Sequence, residues 1–251
     1  MNEQYYSPQR FSILPPVVKN LLIINALFFL ATLAFNNFLH IDLSNYLGLH
    51  YFQSELFYPY QLFTYMFMHG GMGHIFFNMF ALWMFGSTIE NYWGGRKFLI
   101  YYLITGIGAG LTQEAICAIR IQEVIAQMSP EAIELVKEQG LSILQQQKNY
   151  ADSLMRNYNL LLNSVTVGAS GSVYGLLLAF GMIFPNALIY VYFLFPIKAK
   201  WFVIIFGAIE LFYGIRGTDD GIAHFAHLGG MIFGLILILL WRKRNRNYYQ
   251  Y

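Results

Sequence analysis

The chain alternates long apolar stretches with short polar ones. A helix needs about 20 mainly apolar residues to cross the hydrocarbon core of a bilayer. That criterion picks out residues 20–38, 74–93, 98–118, 166–184, 201–215 and 222–241, which predicts an all-α polytopic membrane protein, a bundle of six transmembrane helices. The stretch 201–215 is short for a span. Ala187 to Phe195 is apolar but shorter still and bounded by Pro185 and Pro196, so it is expected to lie at the interface or insert in part. Between the third and fourth spans, residues 119–163 form a polar insertion of mixed charge containing Gln145-Gln146-Gln147. Ser129-Pro130-Glu131 reads there as a helix start and Gly140 as its stop, which predicts one or two amphipathic helices on the outer face.

Composition supports the membrane reading: 57% of the 251 residues are hydrophobic and 11% charged, against about 25% charged in soluble domains. A net charge of +2 is too small and dispersed for nucleic acid to be a partner. The basic residues mark topology instead. Arg10, Lys19, Arg96, Lys97, Lys198, Lys200, Arg242, Lys243, Arg244 and Arg246 share one side if the N-terminus is cytoplasmic, whereas Ile41 to Met72 contains no Lys or Arg. The expected organisation is a cytoplasmic segment 1–19, a membrane domain 20–241 and a basic cytoplasmic tail 242–251, with both termini inside. The polar N-terminus lacks transit-peptide character, and Leu21–Phe38 has no clear cleavage site, so it is expected to be a retained span. A single cysteine, Cys117, excludes an intrachain disulfide and a cysteine-based metal site.

This topology sets Ser170, His74, Asn78, His224 and His227 at a similar depth, a short way below the outer surface. Ionisable groups at such depth are costly and mark function. A serine hydroxyl is a weak nucleophile until a base takes its proton, and His227 is the natural candidate for that base. Ser170 opens a helix after Gly168-Ala169, where backbone N–H groups are unpaired and the dipole is positive. His74 and Asn78 are four residues apart and share a helix face, so their N–H groups can point at one oxygen, as an oxyanion hole requires. Gly171/Gly175 and Gly230/Gly234 each form a GxxxG, a spacing that lets helix backbones approach closely and would bring Ser170 to His227. Tyr174 is placed to pack on the imidazole. A lone serine or glycine in a membrane helix is usually packing surface; the convergence of several polar groups is what favours chemistry. A metal site built from His69, His74, His224 and His227 is the weaker reading, because no HExxH is present and Glu90 and Glu210 lack ligand-set spacing. Glu90 is expected to pair with a loop or backbone group. Glu210 has no role in either reading, and no acidic third member is evident near His227.

These residues resemble the rhomboid intramembrane serine proteases. The resemblance covers roughly residues 45–240 outside the insertion and rests on His69-(x)4-His74-(x)3-Asn78, Gly168-Ala169-Ser170-Gly171 and Ala226-His227-(x)2-Gly230-(x)3-Gly234. It implies a Ser170/His227 dyad in which His227 rather than His224 is the base. It also implies oxyanion donors from His74, Asn78 and the Ser170 backbone, with Tyr174 packed on the imidazole and Phe77 near the substrate entrance. Many members carry Trp-Arg in the first outer loop where this chain has Tyr60-Gln61, so the anchoring of that loop is an open point.

The function expected is therefore endoproteolysis of transmembrane segments of other membrane proteins, without metal or cofactor, in the lipid bilayer of what is expected to be a bacterial cytoplasmic membrane. A non-proteolytic rhomboid-like chaperone is the alternative, against which the intact Ser170 and His227 stand.

Overall fold

The computed structural model describes residues 11–191, 194–217 and 222–248. The segment 1–19, with Arg10, and the tail 242–251 fall partly outside the described residues. Helix α1 (Pro16–Ala34) begins on the Pro-Pro pair, with Pro16 at a position where a missing N–H costs nothing. The Glu90 carboxylate accepts the N–H of Val17 at 3.0 Å and of Val18 at 2.7 Å, capping the helix and opposing its dipole. Glu90 thus pairs with backbone, as expected.

After α1 come the one-turn helix α2 (Ser44–Leu47), strand β1 (Leu49–His50) and the one-turn helix α3 (Gln61–Thr64). Helices α4 (Met72–Ala81) and α5 (Ser87–Trp93) are joined by a π-helical turn, Leu82–Gly86. Then follow α6 (Gly95–Ile125), α7 (Pro130–Gln145), α8 (Ser153–Asn163), strand β2 (Val165–Thr166) and α9 (Ser170–Ile183). Strands β3 (Leu188–Val191) and β4 (Phe195–Lys198), α10 (Ala199–Arg216) and α11 (His224–Tyr248) complete the described chain.

Among the described residues, four helical segments are long and apolar enough to cross a membrane: Pro16–Leu39, Met72–Trp93, Gly95–Ile125 and His224–Lys243. Of the six segments expected, α9 is apolar but has only 14 residues, and α10 has 18 that include Lys200, Glu210 and Arg216. The outer surface carries Leu27, Leu30, Phe76, Phe77, Leu239 and Leu240, all more than half exposed. Lipid is a favourable solvent for such a surface, and water is not.

One sequence expectation, the helix stop at Gly140, is corrected. Within the stretch Ala187 to Phe195, Leu188 to Val191 pairs antiparallel with β4, Leu188 opposite Lys198 and Val191 opposite Phe195. Pro185 and Pro196 break helical bonding, while the β-branched and aromatic residues between them suit a pleated strand. Helix α6 runs on to Ile125, past the expected start of the insertion at residue 119. Gly140 does not stop the insertion's first helix. It lies inside α7, where a side chain would collide with Asn159 of α8, and its carbonyl accepts the Asn159 amide at 3.0 Å. The start of that helix is where it is expected, since the Ser129 hydroxyl caps α7 by accepting the Ala132 N–H at 3.2 Å.

The centre of the bundle is α6, α9 and α11. A Cβ on Gly230 would overlap the carbonyl of Gly171, so α9 and α11 touch backbone to backbone. The other glycines face α6: Gly171 meets Ala109, Gly175 meets Thr105 and Gly234 meets Tyr101. The two GxxxG patterns thus serve a three-helix junction rather than one helix pair. Tyr101 donates to the Gly175 carbonyl at 2.8 Å and Ser172 to the Tyr102 carbonyl at 2.8 Å, fixing the rotation of α9.

Candidate active site

The chain reaches Ser170 through strand β2, which pairs antiparallel with β1 in the register Leu49 to Thr166. The next anchor is the Gly168 N–H, which donates to the Tyr65 carbonyl at 2.9 Å. Gly168 has φ +130°, and a Cβ there would sit 2.8 Å from His74 Nε2 and 3.5 Å from Ser170 Oγ. Both the dihedral and the space require glycine. The same distances show that His74 and Ser170 face one small space beside Gly168.

Ser170 is the first residue of α9, so its backbone N–H has no helical partner. Its Oγ lies 2.8 Å from His227 Nε2. The Tyr174 ring stacks on the His227 imidazole, centroids 4.2 Å apart and planes within 6°. Asn78 is buried and spends one amide N–H on the His74 carbonyl at 3.0 Å. His69 is buried edge-on to the His74 ring at 5.1 Å. Burial, and then the neighbouring His74, lower the His69 pKa to about 4, so it is neutral near pH 7. Phe77 is 70% exposed on α4, edge-on to Phe76.

The segment between α1 and α4 is anchored by Gln61, which is fully buried. Its amide donates to the Leu56 carbonyl at 2.8 Å and the Tyr46 carbonyl at 3.2 Å, while its carbonyl accepts the His50 N–H at 3.2 Å. Gln61 therefore anchors the loop in which Tyr60-Gln61 stands where many rhomboids carry Trp-Arg.

Sequence reasoning missed Glu210. Its carboxylate lies 2.6 Å from His224 Nδ1 and 3.0 Å from His227 Nδ1, and it accepts the Tyr174 hydroxyl. Two expectations fall with this: an acidic group does stand beside His227, and Glu210, His224 and His227 bring potential ligand atoms within 4.8 Å of one another. A signal for Glu210 was present in the helical spacing. Val203, Gly207, Glu210 and Gly214 follow at intervals of four, three and four residues, one face of α10, and Gly207 and Gly214 approach Met231 and Phe225 of α11.

A family-level comparison stands beside this geometry. The chain fits the rhomboid domain over residues 57–119 and 141–244. This protein belongs to the rhomboid family. The rhomboid chain is 27% identical to rhomboid-like protein 11, chloroplastic, of Arabidopsis thaliana over 81% of its own length and 63% of that protein's. It is 28% identical to the mitochondrial RHOMBOID-like protein 6 of the same plant, over 74% of this chain and 45% of the relative. A shorter match, 40% identical over 47 residues, joins it to the rhomboid protease GluP of Bacillus subtilis, covering 19% of this chain and 9% of GluP. The rhomboid chain thus spans less than two thirds of these relatives. It is an integral membrane protein. The two plant relatives are named for organelles, and of the three only GluP comes from a bacterium.

Proposed function

We propose that this rhomboid is a serine endopeptidase that cleaves transmembrane segments of other membrane proteins inside the bilayer. The observation that carries the reading is the 2.8 Å contact between Ser170 Oγ and His227 Nε2, with the imidazole clamped by Tyr174. His227 takes the Ser170 proton as Oγ attacks the scissile carbonyl, and the tetrahedral oxyanion is held by His74, Asn78 and the Ser170 N–H. The protonated His227 then gives its proton to the leaving amine, which frees one product and leaves an ester on Ser170. Water, deprotonated by His227, hydrolyses that ester and restores the serine.

The six helices of this reading are the four long apolar segments together with α9 and α10. Fourteen residues of helix span about 21 Å, against a hydrocarbon core of about 30 Å. This supports a recessed Ser170, reached from the outer face through the loop that precedes it. Basic residues set both termini in the cytoplasm, and α7 and α8 lie over the outer surface. A bacterial cytoplasmic membrane is the proposed setting. A substrate helix must unwind locally before attack, which favours small or helix-breaking residues near the cut.

The test is cleavage of a defined transmembrane substrate in liposomes by the parent, Ser170→Ala and His227→Ala, with fluorophosphonate labelling of Ser170. Loss of cleavage in both variants is expected. Parental rates in either would refute the dyad. A folded parent that binds the substrate and neither cleaves nor labels would point to a non-proteolytic, chaperone-like rhomboid.

A further inference from the structure

A carboxylate in the middle of an apolar helix is costly unless its oxygens are satisfied, and such residues mark function by default. Among the described residues, Glu210 is the most completely engaged acidic group in the bundle. It is 6% exposed on α10 and meets a hydroxyl from α9 and two imidazoles from α11. The contact with His224 Nδ1 is short, at 2.6 Å. The contact with His227 Nδ1 is within range at 3.0 Å but out of line for a straight hydrogen bond.

We infer that Glu210 is the positioning residue of the serine site, holding His227 with its proton on Nδ1 and stabilising the imidazolium that forms there during reaction. The inference rests on the Ser170/His227 reading and extends it from a dyad to a triad. An acceptor beside Nδ1 leaves the Nε2 lone pair for Ser170, which is the only tautomer that can take its proton. A carboxylate beside a neutral imidazole in a bent contact contributes little. The same carboxylate beside an imidazolium contributes much more, because a charge pair in a water-poor site is strong at any reasonable angle. The interaction therefore grows toward the transition state, the condition for raising kcat rather than lowering KM.

The surrounding groups fit this role. The Tyr174 hydroxyl binds one carboxylate oxygen while its ring covers His227, so a single side chain locks both partners. His224 occupies the other oxygen, the one that faces His227. Glu210 thereby keeps its acceptors satisfied while His227 is neutral, and can shift toward His227 when that ring becomes charged. The base and its orienting acid sit on different helices, α11 and α10, whose packing at Gly214, against the Phe225 ring, sets their separation.

The experiment compares the parent, Glu210→Gln and Glu210→Asp on a transmembrane substrate in liposomes, with kcat and KM resolved separately and thermal unfolding measured in detergent. Glu210→Gln is expected to lower kcat at least about 100-fold, a smaller loss than the roughly 10⁴-fold of a serine triad whose acid is fully hydrogen-bonded to the base, with KM within about 3-fold. Glu210→Asp is expected to recover part of the loss. A second measurement needs no variant at position 210. In 15N-histidine-labelled parent protein at neutral pH, with the His227 signals assigned by comparison with His227→Ala, Nδ1 is expected to be protonated and Nε2 free. A Glu210→Gln kcat within about 3-fold of the parent, the opposite tautomer at His227, or loss of parental activity on chelation would each overturn the inference. These outcomes differ from failure of the protease reading itself, which would show as cleavage by Ser170→Ala at the parental rate.

Discussion

Gly230→Ala isolates the close approach on which the site depends. A Cβ at Gly230 would lie 2.7 Å from the carbonyl carbon of Gly171 and closer still to its oxygen. Comfortable carbon–carbon contact is about 3.5–4.0 Å, and neither partner is a flexible side chain, so α9 and α11 must part by about 1 Å. Ser170 directly precedes Gly171, and His227 lies three residues before Gly230 on the same helix face. The 2.8 Å Ser170–His227 contact then opens past the range of a hydrogen bond. Misplacement by about 1 Å costs on the order of 100-fold in rate, and overpacking costs about 1–3 kcal/mol of stability. The assay is cleavage of a transmembrane substrate together with the rate of fluorophosphonate labelling and the melting temperature. Gly207→Ala is the control, because its added Cβ would sit 3.3 Å from the terminal methyl of Met231, which can swing aside. If Gly230→Ala melts with the parent and labels at the parental rate, the backbone contact between α9 and α11 is not as described.

Gly168→Ala is expected to abolish fluorophosphonate labelling, because it strains a backbone at φ +130° and drives a methyl against the His74 imidazole; a labelling rate within about 3-fold of the parent would contradict this. Glu90→Ala removes the carboxylate that caps α1, and a loss of about 1–2 kcal/mol is expected in urea titration of detergent-solubilised protein, with unchanged activity per folded molecule. Stability also depends on His69, whose folded pKa of about 4 lies below the unfolded value of about 6.5. Its contribution is fully present above pH 6.5 and is lost as pH falls toward 4, by up to about 1.4 kcal/mol per pH unit. The parent and His69→Gln should therefore converge in melting temperature as pH falls through that window, and parallel curves would count against the assignment.

What could be read from the sequence follows from how each kind of information is encoded. Membrane-length apolar runs depend on composition alone, so the segments near 20–38, 74–93 and 222–241 emerged close to their observed bounds. Capping chemistry is equally local, which is why Ser129-Pro130 marked the start of α7. Gly140 misled because a glycine can be a helix stop or a packing notch, and only the position of Asn159, 19 residues away, decides between them. The stretch from Ala187 left its secondary structure open for a related reason. A short apolar run has no period of its own, and its pairing with β4 is what makes it a strand.

The site divides along the same line. His74 and Asn78 are related by a helix turn, and Ser170 announces itself by its glycines, so each could be proposed from local spacing. Glu210 could not, because its partners His224 and His227 are 14 and 17 residues away across a loop, and no sequence interval encodes the rotation of α10 against α11. Yet a single carboxylate on an apolar face that also carries Gly207 and Gly214 is a physical anomaly in the sequence itself. Small residues say that a neighbouring helix comes close, and a buried charge beside them says that the neighbour carries donors. In this chain the apolar helix nearest in sequence is the one bearing both imidazoles. An intramembrane acid flanked by glycines at helical spacing is thus a pointer to hydrogen-bond donors on the adjoining helix, and that adjoining helix is where a search for its partners should begin.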